Sequence, residues 1–129
     1  MITNLVGNSP EGDFKNSVFH TFSLYSHNAL GTALDVKTIC DDYDNEVFKN
    51  IPYLDVTAVL NEADNKVILN VVNRHETDAI ETNIDIQSGE YAGKATANVI
   101  NAESIDTRNT KDAQPVQVES EQVSFRGNT

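Results

Sequence analysis

The spacing of apolar residues separates one helical segment from a longer region in which apolar and polar residues alternate. Between residues 17 and 30, apolar side chains recur along one helix face; they are Val18, Phe19, Phe22, Tyr25, Ala29 and Leu30. Asn16 or Ser17 can cap the start of this helix, and Gly31 stands where a left-handed C-terminal cap is expected. The aromatic face predicts a helix that packs against something large.

After residue 32 the period changes to two, which predicts short β-strands. Residues 53–60 and 66–73 each place apolar side chains on one face, and about five turn residues separate them, so they predict a β-hairpin. Alternation also predicts strands within 33–39, 79–86, 94–100 and 116–125, with turns or loops at 8–16, 40–49 and 101–114. The pattern as a whole predicts an all-β domain, an antiparallel β-sandwich of about six to eight short strands preceded by one amphipathic helix.

Charge excludes two classes of partner. The chain has 129 residues, which fits a single domain, and a formal net charge of -11 from 9 basic and 20 acidic residues. Because the basic residues are scattered, we expect no binding to nucleic acid or to an anionic membrane surface. No stretch approaches the ~20 apolar residues of a membrane span. Residues 1–8 lack the features of a signal peptide, which favours a cytoplasmic location if Met1 is the native start.

Residues for catalysis are difficult to single out. The many carboxylates lie mostly on the polar side of the strands or in loops, and no motif selects a pair for general acid–base work. The single cysteine, Cys40, stands beside acidic residues that oppose thiolate formation, so it reads as a bystander. We therefore predict no catalytic residue and no cofactor site in this chain.

Metal ligands are equally sparse. Residues 42–46 suggest a calcium loop, but an EF-hand requires Gly and Glu where this chain has Val47 and Tyr53. A solvated acidic loop is the favoured interpretation, and a calcium site of another kind is the alternative. His20, His27 and His75 are too far apart in sequence for a local metal site and are expected on the helix surface and in a turn. No metal site is predicted.

The segment Asn73-Arg74-His75, at the end of a predicted strand, is the most distinctive polar cluster and has two interpretations. In one, it binds a sugar or a partner's carboxylate, with Arg74 as a bidentate donor. In the other, which we favour, it forms a turn in which Asn73 satisfies loop backbone groups.

Five segments are similar in order and spacing to those of a known family. They are residues 17–26 (SVFHTFSLYS), 31–36 (GTALDV), 51–56 (IPYLDV), 71–75 (VVNRH) and 100–110 (INAESIDTRNT). Together they resemble glycoside hydrolase family 51, the α-L-arabinofuranosidases, whose late loop reads hydrophobic-Asn-Gly-X-Asp-Ile-X-Ala-X-Asn-Thr. The chain departs from the family at 110–115, where an aromatic-Asp-Asn-Pro continuation is usual. It also stops at Thr129, where the family continues through a further hairpin strand.

The resemblance implies a domain attached to an enzyme. Residues 32–129 would be the C-terminal β-sandwich, lacking its closing strand, and residues 1–31, with helix 17–30, would be the end of a catalytic (β/α)₈ barrel. The catalytic glutamates of the family lie upstream, so none is carried over here. The parent would release terminal arabinofuranosyl residues from arabinan or arabinoxylan with retention. The expected partners are this barrel, an arabinose-containing polysaccharide through the parent enzyme, and other copies in a homo-oligomer that uses the exposed sheet edge.

Two other classes of function remain open. The chain could be a stand-alone carbohydrate-binding or protein-interaction module, with Tyr43, Tyr53 and Tyr91 as an aromatic platform, although it contains no Trp. It could also be an intact enzyme with an unrecognised site.

Overall fold

The computed structural model describes residues 4–28, 30–91 and 93–124. Within them lie one helix, α1 (Ser17–Asn28), and nine strands in antiparallel pairs. The strands are β1 (Val6–Ser9), β2 (Gly12–Lys15), β3 (Thr32–Leu34), β4 (Asp42–Tyr43), β5 (Ile51–Pro52), β6 (Leu54–Asn61), β7 (Lys66–Asn73), β8 (Lys94–Ile100) and β9 (Val118–Ser124). Seven strands follow the helix. This confirms the predicted all-β class and is consistent with an antiparallel β-sandwich.

The chain forms two compact units, residues 24–80 and residues 1–23 with 81–129. In the first unit, β3, β6 and β7 make one sheet in that order. The β6–β7 ladder runs from the pair Leu54–Asn73 to the pair Asn61–Lys66, so the predicted hairpin is confirmed. Alternate residues of β6 face inward, and Leu54 and Ala58 are buried. This face is the apolar core of the unit.

The sheet that follows position 31 requires a glycine there. Its φ of +142° is one that residues with a side chain rarely adopt, and an added Cβ would collide with the Leu60 carbonyl. The chain therefore needs glycine to enter β3, which pairs with β6 from Thr32 opposite Leu60.

The second unit contains two separate ladders. β1 and β2 form a hairpin in residues that were expected to be a turn-rich lead-in, so that expectation is wrong. The sequence does not predict this hairpin, because its strands are short and largely polar and show no clear alternation of apolar and polar residues. Phe14 lies over Gly7 on the facing strand and fills the space that a side chain there would need.

The other ladder pairs β8 with β9 across seven residues. Alternation predicted the two strands but not their pairing. Ser120 donates to Asn98 at 2.7 Å and Gln122 donates to Thr96 at 2.9 Å on one face. The opposite face carries the predicted small and apolar residues, yet Val99 is 43% exposed. Both faces of this ribbon are therefore largely open to solvent in the described chain.

Two predicted strands differ from the structure. The strand expected at 33–39 is restricted to β3, and the described residues 79–86 contain no strand despite their alternation. Alternation of apolar and polar residues predicts which face of a strand would be buried. A strand forms only if a neighbouring segment pairs with it in register, and the alternation of one segment does not show whether such a neighbour exists.

The helix presents its aromatic face to solvent. Val18 is 40%, Phe22 58% and Tyr25 37% exposed, and no residue of α1 is buried. The described helix runs to Asn28, Ala29 lies outside the described residues, and Leu30, the predicted end, is not helical. Within the described residues, this face therefore has no large partner of the kind that its sequence predicts. This helix is also too short and too polar to cross a bilayer, and the described ranges hold no other.

Candidate functional site

The turn after β7 is organised by the side chain of Asn73. Its Oδ1 accepts the backbone N–H of His75 at 2.8 Å, and its Nδ2 donates to the carbonyl of Asp78 at 2.8 Å. Asn73 thus satisfies loop backbone groups, as the favoured interpretation of this segment predicted. The role of Asn73 is structural.

His75 is held in one orientation by the same turn. Its Nδ1 accepts the backbone N–H groups of Thr77 at 3.3 Å and of Asp78 at 2.9 Å. Because Nδ1 accepts, the neutral ring carries its proton on Nε2. Nε2 lies 3.7 Å from Oδ2 of Asp78, which is longer than a hydrogen bond. The Nε2–H group can therefore serve a ligand.

Arg74 is engaged within its own unit. Its backbone N–H donates to the carbonyl of Tyr53 at 2.7 Å, one residue beyond the end of the β6–β7 ladder. Nη1 donates to the Pro52 carbonyl at 3.2 Å, and Nη2 pairs with Oδ2 of Asp55 at 2.5 Å. The two side chains are 33% and 51% exposed, so the ion pair contributes at most about 1 kcal/mol. The carboxylate that Arg74 binds belongs to this chain.

Two tyrosines and His75 form a stack beside Arg74. β4 pairs with β5 so that Tyr43 lies opposite Ile51, and the backbone N–H of Tyr53 donates to the Asp41 carbonyl at 3.0 Å. The ring centroids of Tyr43 and Tyr53 are 4.9 Å apart at 27°, and those of Tyr53 and His75 are 4.8 Å apart at 40°. Centroid distances of this size are typical of favourable contacts between aromatic rings.

A surface recess opens beside this stack. Its volume is about 250 Å³, and it is lined by Tyr43, Tyr53, Arg74, His75, Glu76 and Thr77. We call it the tyrosine recess. Tyr91, the third member of the predicted platform, lies in the other unit, where its hydroxyl donates to the Ser88 carbonyl at 2.9 Å.

The acidic segment is a hydrogen-bonded turn rather than an open loop. Oδ1 of Asn45 accepts the backbone N–H groups of Val47 at 2.9 Å and of Phe48 at 2.7 Å. Val47 and Phe48 themselves are 76% and 64% exposed. The turn therefore presents two apolar side chains to solvent on an ordered backbone.

Asp44 closes this turn from its other side. Its carboxylate accepts the backbone N–H of Asn50 at 2.9 Å and pairs with Lys49 at 3.0 Å. The hydrogen bond from Asn50, and then the one from Lys49, hold the pKa of Asp44 below its usual value, because both stabilise the charged form. Among the described residues, no group of three or more His, Cys, Asp or Glu side chains is placed to hold a metal ion.

His20 differs from the helix-surface residue that was expected. Its ring lies edge-on to Phe19, with centroids 5.8 Å apart, and its Nε2 is buried without a hydrogen-bond partner among the described residues. His27 is exposed, and Cys40 is a half-buried free thiol. None of these residues adds to the tyrosine recess.

Comparison with known proteins decides the family. Residues 2–129 match the model of the α-L-arabinofuranosidase C-terminal domain. The chain belongs to this family. The match covers all five segments on which the resemblance rested.

Relatives of this arabinofuranosidase domain are much longer proteins. An intracellular exo-α-(1→5)-L-arabinofuranosidase of Halalkalibacterium halodurans is 30% identical over 77 residues, which are 60% of this chain and 15% of that protein. A probable α-L-arabinofuranosidase C of Aspergillus flavus is 34% identical over 115 residues, 84% of this chain and 22% of that protein. The corresponding protein of Aspergillus terreus is 33% identical over 89 residues, 64% and 18% of the two chains. The chain thus spans less than a quarter of each relative.

The residue that sequence reasoning missed in this arabinofuranosidase domain is Asn109, which is 4% exposed. Its Nδ2 donates to the carbonyls of Lys15 at 3.1 Å and Val116 at 2.8 Å, and its Oδ1 accepts the Val116 N–H at 2.9 Å. Its own N–H donates to the Ser17 hydroxyl at 3.1 Å. The segment 101–114 was expected to be a surface loop, but Asn109 anchors it to the start of α1. The Asn-Thr that ends the family's late-loop motif was the available signal.

The departure from the family motif at 110–115 forms a tight turn. The Thr110 N–H donates to the Ala113 carbonyl at 2.7 Å, and the Ala113 N–H donates to the Thr110 hydroxyl at 3.1 Å. This turn leads the chain back to Val116, which is buried beside Asn109.

Proposed function

We propose that this chain is the non-catalytic C-terminal β domain of an α-L-arabinofuranosidase. The observation that carries the proposal is the family match over residues 2–129, together with relatives of which the chain covers 15–22%. In the full enzyme, the catalytic carboxylates would lie in a preceding (β/α)₈ barrel. That enzyme would hydrolyse terminal arabinofuranosyl residues of arabinan or arabinoxylan with retention of configuration.

The exposed face of α1 would pack against the rest of the barrel in the full enzyme. Phe22 and Tyr25 present large aromatic side chains to solvent, and contiguous apolar surface of this kind marks an interaction site. We assign residues 1–31 to the end of the barrel and residues 32–129 to the β-sandwich that packs on it. The exposure of the helix supports this assignment.

Exposed strands support a second kind of contact. The β8–β9 ribbon is open on both faces, and Val99 and Val123 are 43% and 40% exposed. Unpaired or uncovered strands invite pairing with another chain. We propose that this ribbon contributes to a homo-oligomer of the parent enzyme.

Two assays test the central proposal. The chain alone should release no arabinose from a chromogenic arabinofuranoside, whereas it should bind a separately produced catalytic barrel of the same enzyme. The variant Phe22→Ala should weaken that complex, and Ile39→Ala, which removes a side chain that is 83% exposed elsewhere, should leave it unchanged. Turnover by the chain alone at the rate of a full enzyme would contradict the proposal.

The alternative of a stand-alone carbohydrate-binding module rests on the two stacked tyrosines. If the chain binds arabino-oligosaccharides tightly but shows no affinity for the barrel, the module is the better description. Weak sugar binding together with barrel binding fits the proposed domain.

A further inference from the structure

The tyrosine recess combines the groups that recognise a neutral sugar. Aromatic walls pack against the C–H face of a sugar ring, and a few polar groups fix its hydroxyls. Here, Tyr43 and Tyr53 supply the aromatic surface, and Arg74, His75 and Glu76 supply the polar groups. Nothing in the proposed packing role of the domain uses this arrangement.

Donors and an acceptor are both present in the recess. Arg74 has five N–H donors, of which the contacts to Pro52 and Asp55 use one from each of two nitrogens. His75 offers its Nε2–H, because its Nδ1 is occupied by backbone donors. The carboxylate of Glu76 accepts. A vicinal diol, which both donates and accepts, is matched by this set.

The charges near the recess select against anions. Glu76 lines it, and Asp55 and Asp78 contact two of its other lining residues, so three carboxylates accompany one guanidinium. Such a field repels a phosphate or a uronate. A neutral ligand is not repelled by these charges.

The size of the recess limits the ligand. Its volume of about 250 Å³ is below the roughly 300–1,000 Å³ of pockets for drug-sized molecules. It therefore suits one or two sugar rings, and its shallow form predicts weak binding. We propose that the tyrosine recess is an accessory binding site for a neutral pentose-containing oligosaccharide, outside the catalytic domain. The choice of pentose rests on the proposed function.

The backbone around the recess is built in advance of binding. The Asn73 side chain fixes the turn, the Arg74–Tyr53 backbone hydrogen bond joins the two strand ends, and His75 is locked by two N–H donors. Preorganisation lowers the entropy lost on binding. A weak ligand can therefore bind with a defined orientation.

The test is an NMR titration of the ¹⁵N-labelled chain with linear α-1,5-arabinotriose. Amide signals of residues 74–77 and of Tyr53 should shift together and saturate, with a Kd of the order of 1 mM. Galacturonic acid trimer should give no saturable shift. Shifts that do not saturate, shifts elsewhere only, or equal binding of the uronate would overturn the proposal.

Three variants assign the binding to this recess. Tyr43→Ala should weaken binding at least about tenfold by removing an aromatic wall. Because that change can also disturb the β4–β5 pair, Glu76→Gln serves as the milder variant and should weaken binding about fivefold while the spectrum stays folded. Tyr91→Ala is the matched control and should bind as the unmodified chain does. Unchanged affinity in both recess variants would contradict the site.

Failure of this titration leaves the proposed function intact, because association with the barrel is measured separately. Conversely, binding of arabinotriose by a chain that does not associate with the barrel would support the recess and contradict the packing role.

Discussion

Two loops of this domain are held by the same kind of bond in opposite environments. In residues 101–117, the buried side chain of Asn109 bonds to the main chain of Lys15 and Val116. In residues 44–50, the exposed side chains of Asn45 and Asp44 bond to the main chain of their own turn. The two loops have similar numbers of side-chain hydrogen bonds, but water reaches mainly those of residues 44–50.

That difference determines what each set of bonds contributes. Around Asn109, water cannot replace a lost partner, so a broken bond leaves a buried polar group unsatisfied. In the acidic turn, water can replace a lost hydrogen-bond partner, so these bonds only favour the local conformation of the turn. The side-chain amide of Asn109 joins segments about ninety residues apart in sequence, whereas that of Asn45 acts within three residues. Four substitutions test this contrast.

Asn109→Ala should have the largest effect. The carbonyl and N–H of Val116 would lose their partner in a buried site, and the Lys15 carbonyl in a partly buried one, which costs about 2–4 kcal/mol of unfolding free energy. Urea denaturation of the chain followed by circular dichroism measures the loss. Asn101→Ala, in the exposed part of the same loop, should change stability by less than about 0.5 kcal/mol. Equal losses in the two variants would refute the contrast.

Ser17→Ala should have an intermediate effect. It removes the hydroxyl that accepts the N–H of Asn109 in a partly buried position, so we expect a loss of about 1 kcal/mol. In the background of Asn109→Ala, the same change should cost less, because the two residues share one network. Strict additivity in the double-mutant cycle would show that they act independently.

Asn45→Ala should cost less, about 0.5 kcal/mol, because its two backbone partners are exposed. Amide hydrogen exchange should accelerate at Val47 and Phe48 and remain unchanged in β6 and β7. Acceleration that spreads into those strands would mean that the turn supports the hairpin as well.

Asp44→Asn should have the smallest effect, and the effect should depend on pH. The folded pKa of Asp44 lies below its usual value of 3.8, so its carboxylate stabilises the fold above that pH. This contribution is lost as the pH falls through the lowered folded value. The stability difference between the unmodified chain and the variant should therefore shrink between pH 5 and pH 2, as followed by thermal melts. A difference that grows on acidification would reverse the assigned direction.

The same contrast explains what could be predicted from sequence. The β6–β7 hairpin was predicted correctly, because its strands alternate strongly and a turn separates them. The β1–β2 hairpin, in which Gly7 pairs with Phe14, was not predicted, because its strands are short and polar and show no alternation. The burial of Asn109 carries no periodic signal, and only its place in the late-loop motif pointed to it.

The tyrosine recess was predictable in part. The sequence identified Tyr43 and Tyr53 as aromatic candidates and Asn73-Arg74-His75 as a polar cluster. It did not show that they meet, since that depends on the β4–β5 pair and on the Arg74–Tyr53 backbone hydrogen bond. Tyr91 shares their residue type but not their compact unit.

The long connection between β8 and β9 is also a place where the chain could be cut into two fragments that stay associated. Residues 101–106 are exposed, whereas Asn109 and a ladder of seven residue pairs secure the chain on either side of the loop. A protease cut or an inserted reporter near residue 103 would leave β9 paired with β8 and Asn109 joined to α1. The two pieces should then remain associated, and a reassembly tag placed there would report whether the domain is folded.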